Sequence, residues 1–424
     1  MSNETGFFSL KNNFSALHTP PPNQFRPVDG LRGLSIFLVL IIHSFWFLSI
    51  FDDKATEFFY ASPVWLNWVY NGELGVDIFF VISGFLISSI LMAEYRDTGG
   101  IQFSRFYKRR FMRLMPAYVL AIILGLLMLP ENQQYVWSNL LYINNLLPAE
   151  THFMPWTWSL AIEEQFYFIF PLLLVCSLGL KKKNALFFLV GVLFLSSFLI
   201  RYLVVKHYQL SLPICWYEGA CEGFYRVIDS IYVKPWTRFG SFLPGIFVAY
   251  LHVFHQEAVV RMFDRQVRRI NILVMLAVLI VLIVMSIPVN NQLITYSDNF
   301  SVAYYVSYRN LFTVAVGMIL LASLYCKKGL SRGIAIGLSS RALYFIGQLA
   351  YSAYLLHPFV FGLIYAILYQ EAADFSFWQK IGVVITIGFP LTFLFAGIVY
   401  LFIERPFMNL RGKVKRLPET LVEG

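Results

Sequence analysis

His43 lies inside a segment, 31–51, that is otherwise almost wholly apolar, and Arg32 near its start is the only other ionisable side chain there. A second apolar run, 156–178, carries two adjacent carboxylates, Glu163 and Glu164. An ionisable group within hydrocarbon costs roughly 3 kcal/mol or more, and such groups usually mark function. A buried base on one span and a carboxylate on another suit general-base or nucleophilic chemistry, or proton movement.

Spacing sharpens that reading. On a helix, Arg32 and His43 share a face, because eleven steps return to within about 20°, and they stand about 16 Å apart along the axis. Glu163, on a span of opposite direction, falls at about the same depth as His43. The expected pair is therefore His43 as base and Glu163 as the carboxylate that orients it. A histidine that only glues helices together is the structural alternative. Glu163 and Glu164 point about 100° apart, so one of them faces the interior together with Tyr167. Glu163 is favoured for the chemistry, and Glu164 is left for substrate, a basic partner or a proton.

Arg110 and Arg113, three residues apart just before Pro116 in a basic inner loop that starts at Arg96, would share one face of a helix beginning there. Guanidinium forks fit phosphate groups. Ordinary inner-face charge, or contact with anionic lipid head groups, remains the alternative. Tyr351, Tyr354 and His357 recur at three-residue intervals and form a polar arc of about 120°, with Pro358 placed to kink the helix. Tyr354 and His357, with Glu164, are assigned to substrate; aromatic packing is the competing reading. No metal ligands are assigned.

The elements that must hold these residues are membrane helices. The chain of 424 residues is 58% hydrophobic and 13% charged, against about a quarter charged in soluble domains. Ten runs approach the roughly 20 residues needed to span: about 31–51, 74–93, 114–130, 157–179, 184–204, 237–254, 270–288, 309–325, 342–369 and 380–403. With the N-terminus inside, only eight of the 33 Lys and Arg fall on outer segments: Lys54, Arg201, Lys206, Arg226, Lys234, Arg238, Arg309 and Lys380. That alternation puts both termini in the cytoplasm. The basic excess thus reports topology and argues against a nucleic-acid partner. The expected fold is an all-α integral membrane protein, a bundle of about ten transmembrane helices spanning 26–410. Residues 1–25 and 411–424 read as disordered cytoplasmic tails. Cys215 and Cys221 fall in one outer loop and either form a disulfide or stay as two free thiols.

Six stretches resemble, in order, the blocks of the membrane-bound acyltransferase family 3. They are FRPVDGLRGLSIFLVLIIHSFWF (25–47), GVDIFFVISGFLISSIL (75–91), RRFMRLMPAYVL (109–120), TWSLAIEEQFYFIFPLLL (157–174), LAYSAYLLHPFV (349–360) and FIERPF (402–407). The resemblance covers about 25–410. It implies transfer of an acyl group, most often acetyl, from cytoplasmic acyl-CoA to a hydroxyl of an extracytoplasmic or lipid-linked acceptor, typically a sugar of a cell-surface polysaccharide or lipopolysaccharide. It places the family's functional arginine and histidine on Arg32 and His43, its acyl-CoA RxxR pair on Arg110 and Arg113, and its carboxylate on Glu163. Acetyl-CoA is then a donor substrate, with no permanently bound cofactor, and the location is the bacterial inner membrane. Some family members modify small molecules such as macrolides, which leaves the acceptor open. A proton-coupled transporter is the rival from another class; matching inverted halves would favour it, and none is seen.

Overall fold

Apolar length and helix punctuation account for most of the architecture. The computed structural model describes residues 8–21, 25–52, 60–61, 63–179, 184–214, 223–372 and 374–410, and its regular elements there are helical. We number the main helices α1 (Leu10–His18), α2 (Arg26–Phe51), α3 (Gly75–Thr98), α4 (Phe103–Met128), α5 (Trp158–Gly179), α6 (Ala185–Tyr208) and α7 (Leu243–Phe254). They continue with α8 (Gln256–Arg265), α9 (Val267–Ser286), α10 (Asp298–Tyr325), α11 (Gly329–Leu338), α12 (Arg341–Glu371) and α13 (Phe377–Asn409). Nine helices among the described residues are long and apolar enough to cross a membrane. The protein is a multi-pass, all-α membrane bundle. Its outward faces stay apolar, as Phe188 and Leu195 of α6 show, both 71% exposed.

The expected span 237–254 is the one that breaks. It runs as a short helix, Pro235–Arg238, a 3-10 turn, Phe239–Phe242, and then α7. Pro235 and Pro244 each lack a backbone donor, and each sits in the first turn of a helical segment, where that donor is not needed. The break lets Arg238 turn inward towards α3 instead of continuing a regular spiral.

Two helix pairs approach closely through glycine. A Cβ on Gly347 of α12 would lie 2.3 Å from the Asp29 carbonyl oxygen of α2. A Cβ on Gly245 of α7 would lie 2.0 Å from the Val81 carbonyl oxygen of α3. Where lipid removes the hydrophobic drive for helix association, such backbone proximity supplies the packing. The α2–α12 contact matters most, because these two helices carry the histidines.

Two boundaries differ from the sequence reading. The basic stretch 105–113, expected as a loop leading into a helix, already lies within α4, which starts at Phe103. Its arginines are thereby fixed on a rigid element. The stretch 1–25, expected as a disordered tail, contains α1. Ser9 caps it, Leu17 is buried, Asn13 donates to the Leu401 carbonyl at 3.0 Å and Tyr344 donates to the Ala16 carbonyl at 3.0 Å. A polar composition hid this helix because its anchoring rests on a few hydrogen bonds, one buried leucine and the stacking of His18 on Phe345. Cys215, Cys221 and the stretch 411–424 lie outside the described residues.

Candidate active site

Helices α2, α3, α4, α5, α12 and α13 enclose a cavity of about 100 Å³. Arg32, Arg110 and Arg113 line it together with Ser83, Glu163, Tyr167, Gln348, Tyr351, Tyr354 and Glu404. Arg32 is held by Asp29, one helical turn earlier, at 3.1 Å, and Gln348 of α12 donates to the same carboxylate at 3.2 Å. The Arg110 guanidinium lies 5.1 Å over the ring of Tyr167 and 5.8 Å over that of Phe106. Stacking of this kind holds a guanidinium flat while leaving its donors open to an anion.

Glu163 lines the same cavity. Its carboxylate accepts from the hydroxyl of Tyr167, four residues on along α5, and from Ser83 of α3. Both partners are neutral. Further along the wall, Tyr354 donates its hydroxyl proton to the Trp156 carbonyl. A hydroxyl has one proton to give, so Ser159, at 2.7 Å, donates to Tyr354. Tyr351 donates to the Leu114 carbonyl at 2.8 Å, tying α12 to α4. Glu404, in a π-helical turn of α13, accepts from Ser352. Such turns inside longer helices recur at functional sites.

The histidine of the first span has a different partner from the one expected. His43 Nδ1 lies 2.8 Å from Nε2 of His357, and the two rings stand 4.8 Å apart at 24°. His357 is fully buried, and its Nδ1 lies 3.2 Å from the Ala353 carbonyl oxygen. Glu163 bonds to Ser83 and Tyr167 and to neither histidine. Equal depth fixes a position along the membrane normal and says nothing about direction around the bundle. The close α2–α12 contact brings His357 to His43. The arc of Tyr351, Tyr354 and His357 thus divides: Tyr351 and Tyr354 line the cavity, and His357 faces His43. The rings of Tyr354 and His357 are 5.8 Å apart, so the end of the cavity adjoins the histidine pair. Glu164 is not among the cavity's lining residues.

A second buried ionic group was invisible in sequence, where its arginines counted only as outer charges. Asp77 of α3 accepts from Ser241 at 2.6 Å and pairs with Arg238 at 3.3 Å and with Arg309 of α10. Arg309 also reaches Glu73 at 2.9 Å. Arg201 of α6 donates to the Tyr305 carbonyl at 2.8 and 2.5 Å and to that of Thr237 at 2.9 Å. The Arg238 guanidinium lies 4.9 Å over the ring of Trp158. All five charged side chains are buried, and they join α3, α6, α10 and the broken segment before α7.

Comparison with known proteins bears on this arrangement. A family model described as an acyltransferase domain matches residues 26–401. A protein of Staphylococcus aureus strain COL, provisionally named an O-acetyltransferase, is 29% identical over 406 residues, 90% of this chain and 56% of its own. The O-acetyltransferase OatA of Staphylococcus aureus strain NCTC 8325 is 28% identical over 411 residues, 91% of this chain and 57% of its own. The chain therefore spans a little over half the length of these curated relatives. No solved structure matches it. The matched region takes in every cavity-lining residue except Glu404 and Met408 at the end of α13, and the chain belongs to the membrane acyltransferase family 3.

Proposed function

We propose that this protein is an inner-membrane O-acyltransferase that moves an acyl group, most simply acetyl, from acyl-CoA at the cytoplasmic face to a hydroxyl of an extracytoplasmic or lipid-linked sugar. The observation that carries the reading is the cavity itself. Three guanidinium groups line it, and its Tyr354 adjoins the His43–His357 pair. Arg32, Arg110 and Arg113 suit the phosphates of the donor, and the space beyond them suits its pantetheine arm. The names of the relatives support acetyl as the group moved. The distribution of Lys and Arg supports a cytoplasmic donor side.

In the reaction, His43 takes the proton of the acceptor hydroxyl as its oxygen attacks the thioester carbonyl. The carbon–oxygen bond forms, the carbon–sulfur bond breaks, and the leaving thiolate recovers the proton from His43. Glu163, hydrogen-bonded to Tyr167 beneath Arg110, belongs to the donor half of the site. The test uses purified protein in lipid vesicles with labelled acetyl-CoA and membranes of the native host as acceptor. Wild type should transfer label to a glycan fraction. His43→Ala should lower transfer by on the order of a hundredfold or more while inserting normally. Transfer by His43→Ala within a few-fold of wild type would remove His43 from the chemistry.

A further inference from the structure

We propose that His357 is a positioning residue that fixes the tautomer of His43 and thereby makes Nε2 of His43 the atom that meets the acceptor hydroxyl. This rests on the reading of His43 as base. The geometry decides the protons. A backbone carbonyl only accepts, so Nδ1 of His357, 3.2 Å from the Ala353 oxygen, carries a hydrogen. Pro358 has no N–H, so the neighbouring Tyr354 carbonyl also lacks its helical donor, and this side of the ring meets acceptors only. In the neutral ring, Nε2 of His357 then holds a lone pair. His43 Nδ1, 2.8 Å away, must donate to it. That leaves the lone pair of His43 on Nε2, and no described residue hydrogen-bonds that atom.

The arrangement is that of an oriented catalytic histidine in which a neutral imidazole occupies the place usually taken by a carboxylate. When His43 accepts the hydroxyl proton on Nε2, its Nδ1–H still points at a lone pair, and the positive charge is shared through that hydrogen bond. A carboxylate in this place would put a permanent charge beside the histidine, deep in the bundle. The close approach of Gly347 to Asp29 brings the two helices that carry these rings together.

The proposal is tested first on wild-type protein. Histidine-specific nitrogen-15 labelling in lipid, with resonances assigned by single His→Gln variants, reads the tautomer directly. Both rings should carry their proton on Nδ1; a His43 ring protonated on Nε2 would overturn the proposal. Kinetics then compare His357→Leu with His357→Gln, whose amide oxygen can replace the Nε2 lone pair. His357→Leu should lower kcat by on the order of tenfold to a hundredfold, with KM for acetyl-CoA changed less than about threefold, and His357→Gln should recover a clear part of that loss. Equal activity in the two variants, or His357→Leu within twofold of wild type, would show a helix-packing contact and no more. If His357→Leu does not insert, the wild-type tautomer decides. An active His43→Ala protein fails the base reading itself, and is thereby distinguished from failure of the His357 assignment alone.

Discussion

The hydroxyl of Tyr167 donates to the carboxylate of Glu163 one helical turn earlier, and the ring of the same tyrosine lies beneath the Arg110 guanidinium at 5.1 Å. If the guanidinium groups hold the donor, as proposed, this chain of contacts puts Glu163 in the same half of the cavity. Glu163→Gln keeps an acceptor for Tyr167 but removes the negative charge near Arg110. Its main effect should be a rise of several-fold in KM for acetyl-CoA, with a smaller fall in kcat. Tyr167→Phe should act in the same direction. Steady-state kinetics of both variants decide the matter. A fall in kcat alone would return Glu163 to the histidine's side of the site.

The arginines give a second expectation. Arg110 and Arg113 line the cavity from a rigid helix, whereas Lys108 of the same basic stretch is exposed. Arg110→Ala and Arg113→Ala should each weaken acetyl-CoA binding about tenfold or more, since charge-assisted bonds to phosphate contribute roughly 1.5–3 kcal/mol each. Lys108→Ala should leave binding within twofold. Binding isotherms in detergent supply the comparison, and equal losses in all three would mean a diffuse basic surface.

How far the sequence reveals this site depends on what a residue's position is measured against. Helix existence and approximate depth follow from apolar length, so Arg32, His43 and Glu163 could be placed along the membrane normal. Arg32, Arg110, Arg113, Glu163 and Tyr354 do line one cavity. Direction around the bundle is a different quantity. It depends on which helices touch, and here small residues decide that: Gly347 against Asp29, Gly245 against Val81. The pairing of His43 with His357 in place of Glu163 is a matter of azimuth that spacing on single helices cannot give. The Asp77 group was hidden for a related reason. Its members come from four separate elements, and Arg238 reaches inward from a broken segment bracketed by Pro235 and Pro244.

That group yields a stability prediction. Asp77 accepts from Ser241 and pairs with two arginines in full burial. Asp77→Asn keeps the size of the side chain but leaves Arg238 and Arg309 with Glu73 as their remaining carboxylate. Breaking a buried pair by removing one partner typically costs about 3–5 kcal/mol. The variant should show lower yield of inserted protein and a lower Tm in detergent. Glu257→Gln, at an exposed pair with Arg261 on α8, should change neither, because exposed pairs contribute roughly 0–1 kcal/mol. A Tm for Asp77→Asn within a degree or two of wild type would mean that the arginines are satisfied by their aromatic and carbonyl contacts.

The orientation of the whole bundle sets which side donates. Only if Arg110 and Arg113 face the cytoplasm can their cavity take acyl-CoA from the pool there. On the orientation expected from the charge distribution, Lys54 is outside and Lys182 inside. Both are tested as single cysteines, Lys54→Cys and Lys182→Cys, in a background without the four native cysteines. In intact spheroplasts an impermeant maleimide should label position 54 only; after membrane disruption it should label both. The background protein must first show that it still transfers acetyl, so that labelling reports an active fold. Labelling at 182 in sealed spheroplasts would invert the bundle, put the guanidinium groups on the side that lacks acyl-CoA, and overturn the assignment of the cavity to the donor.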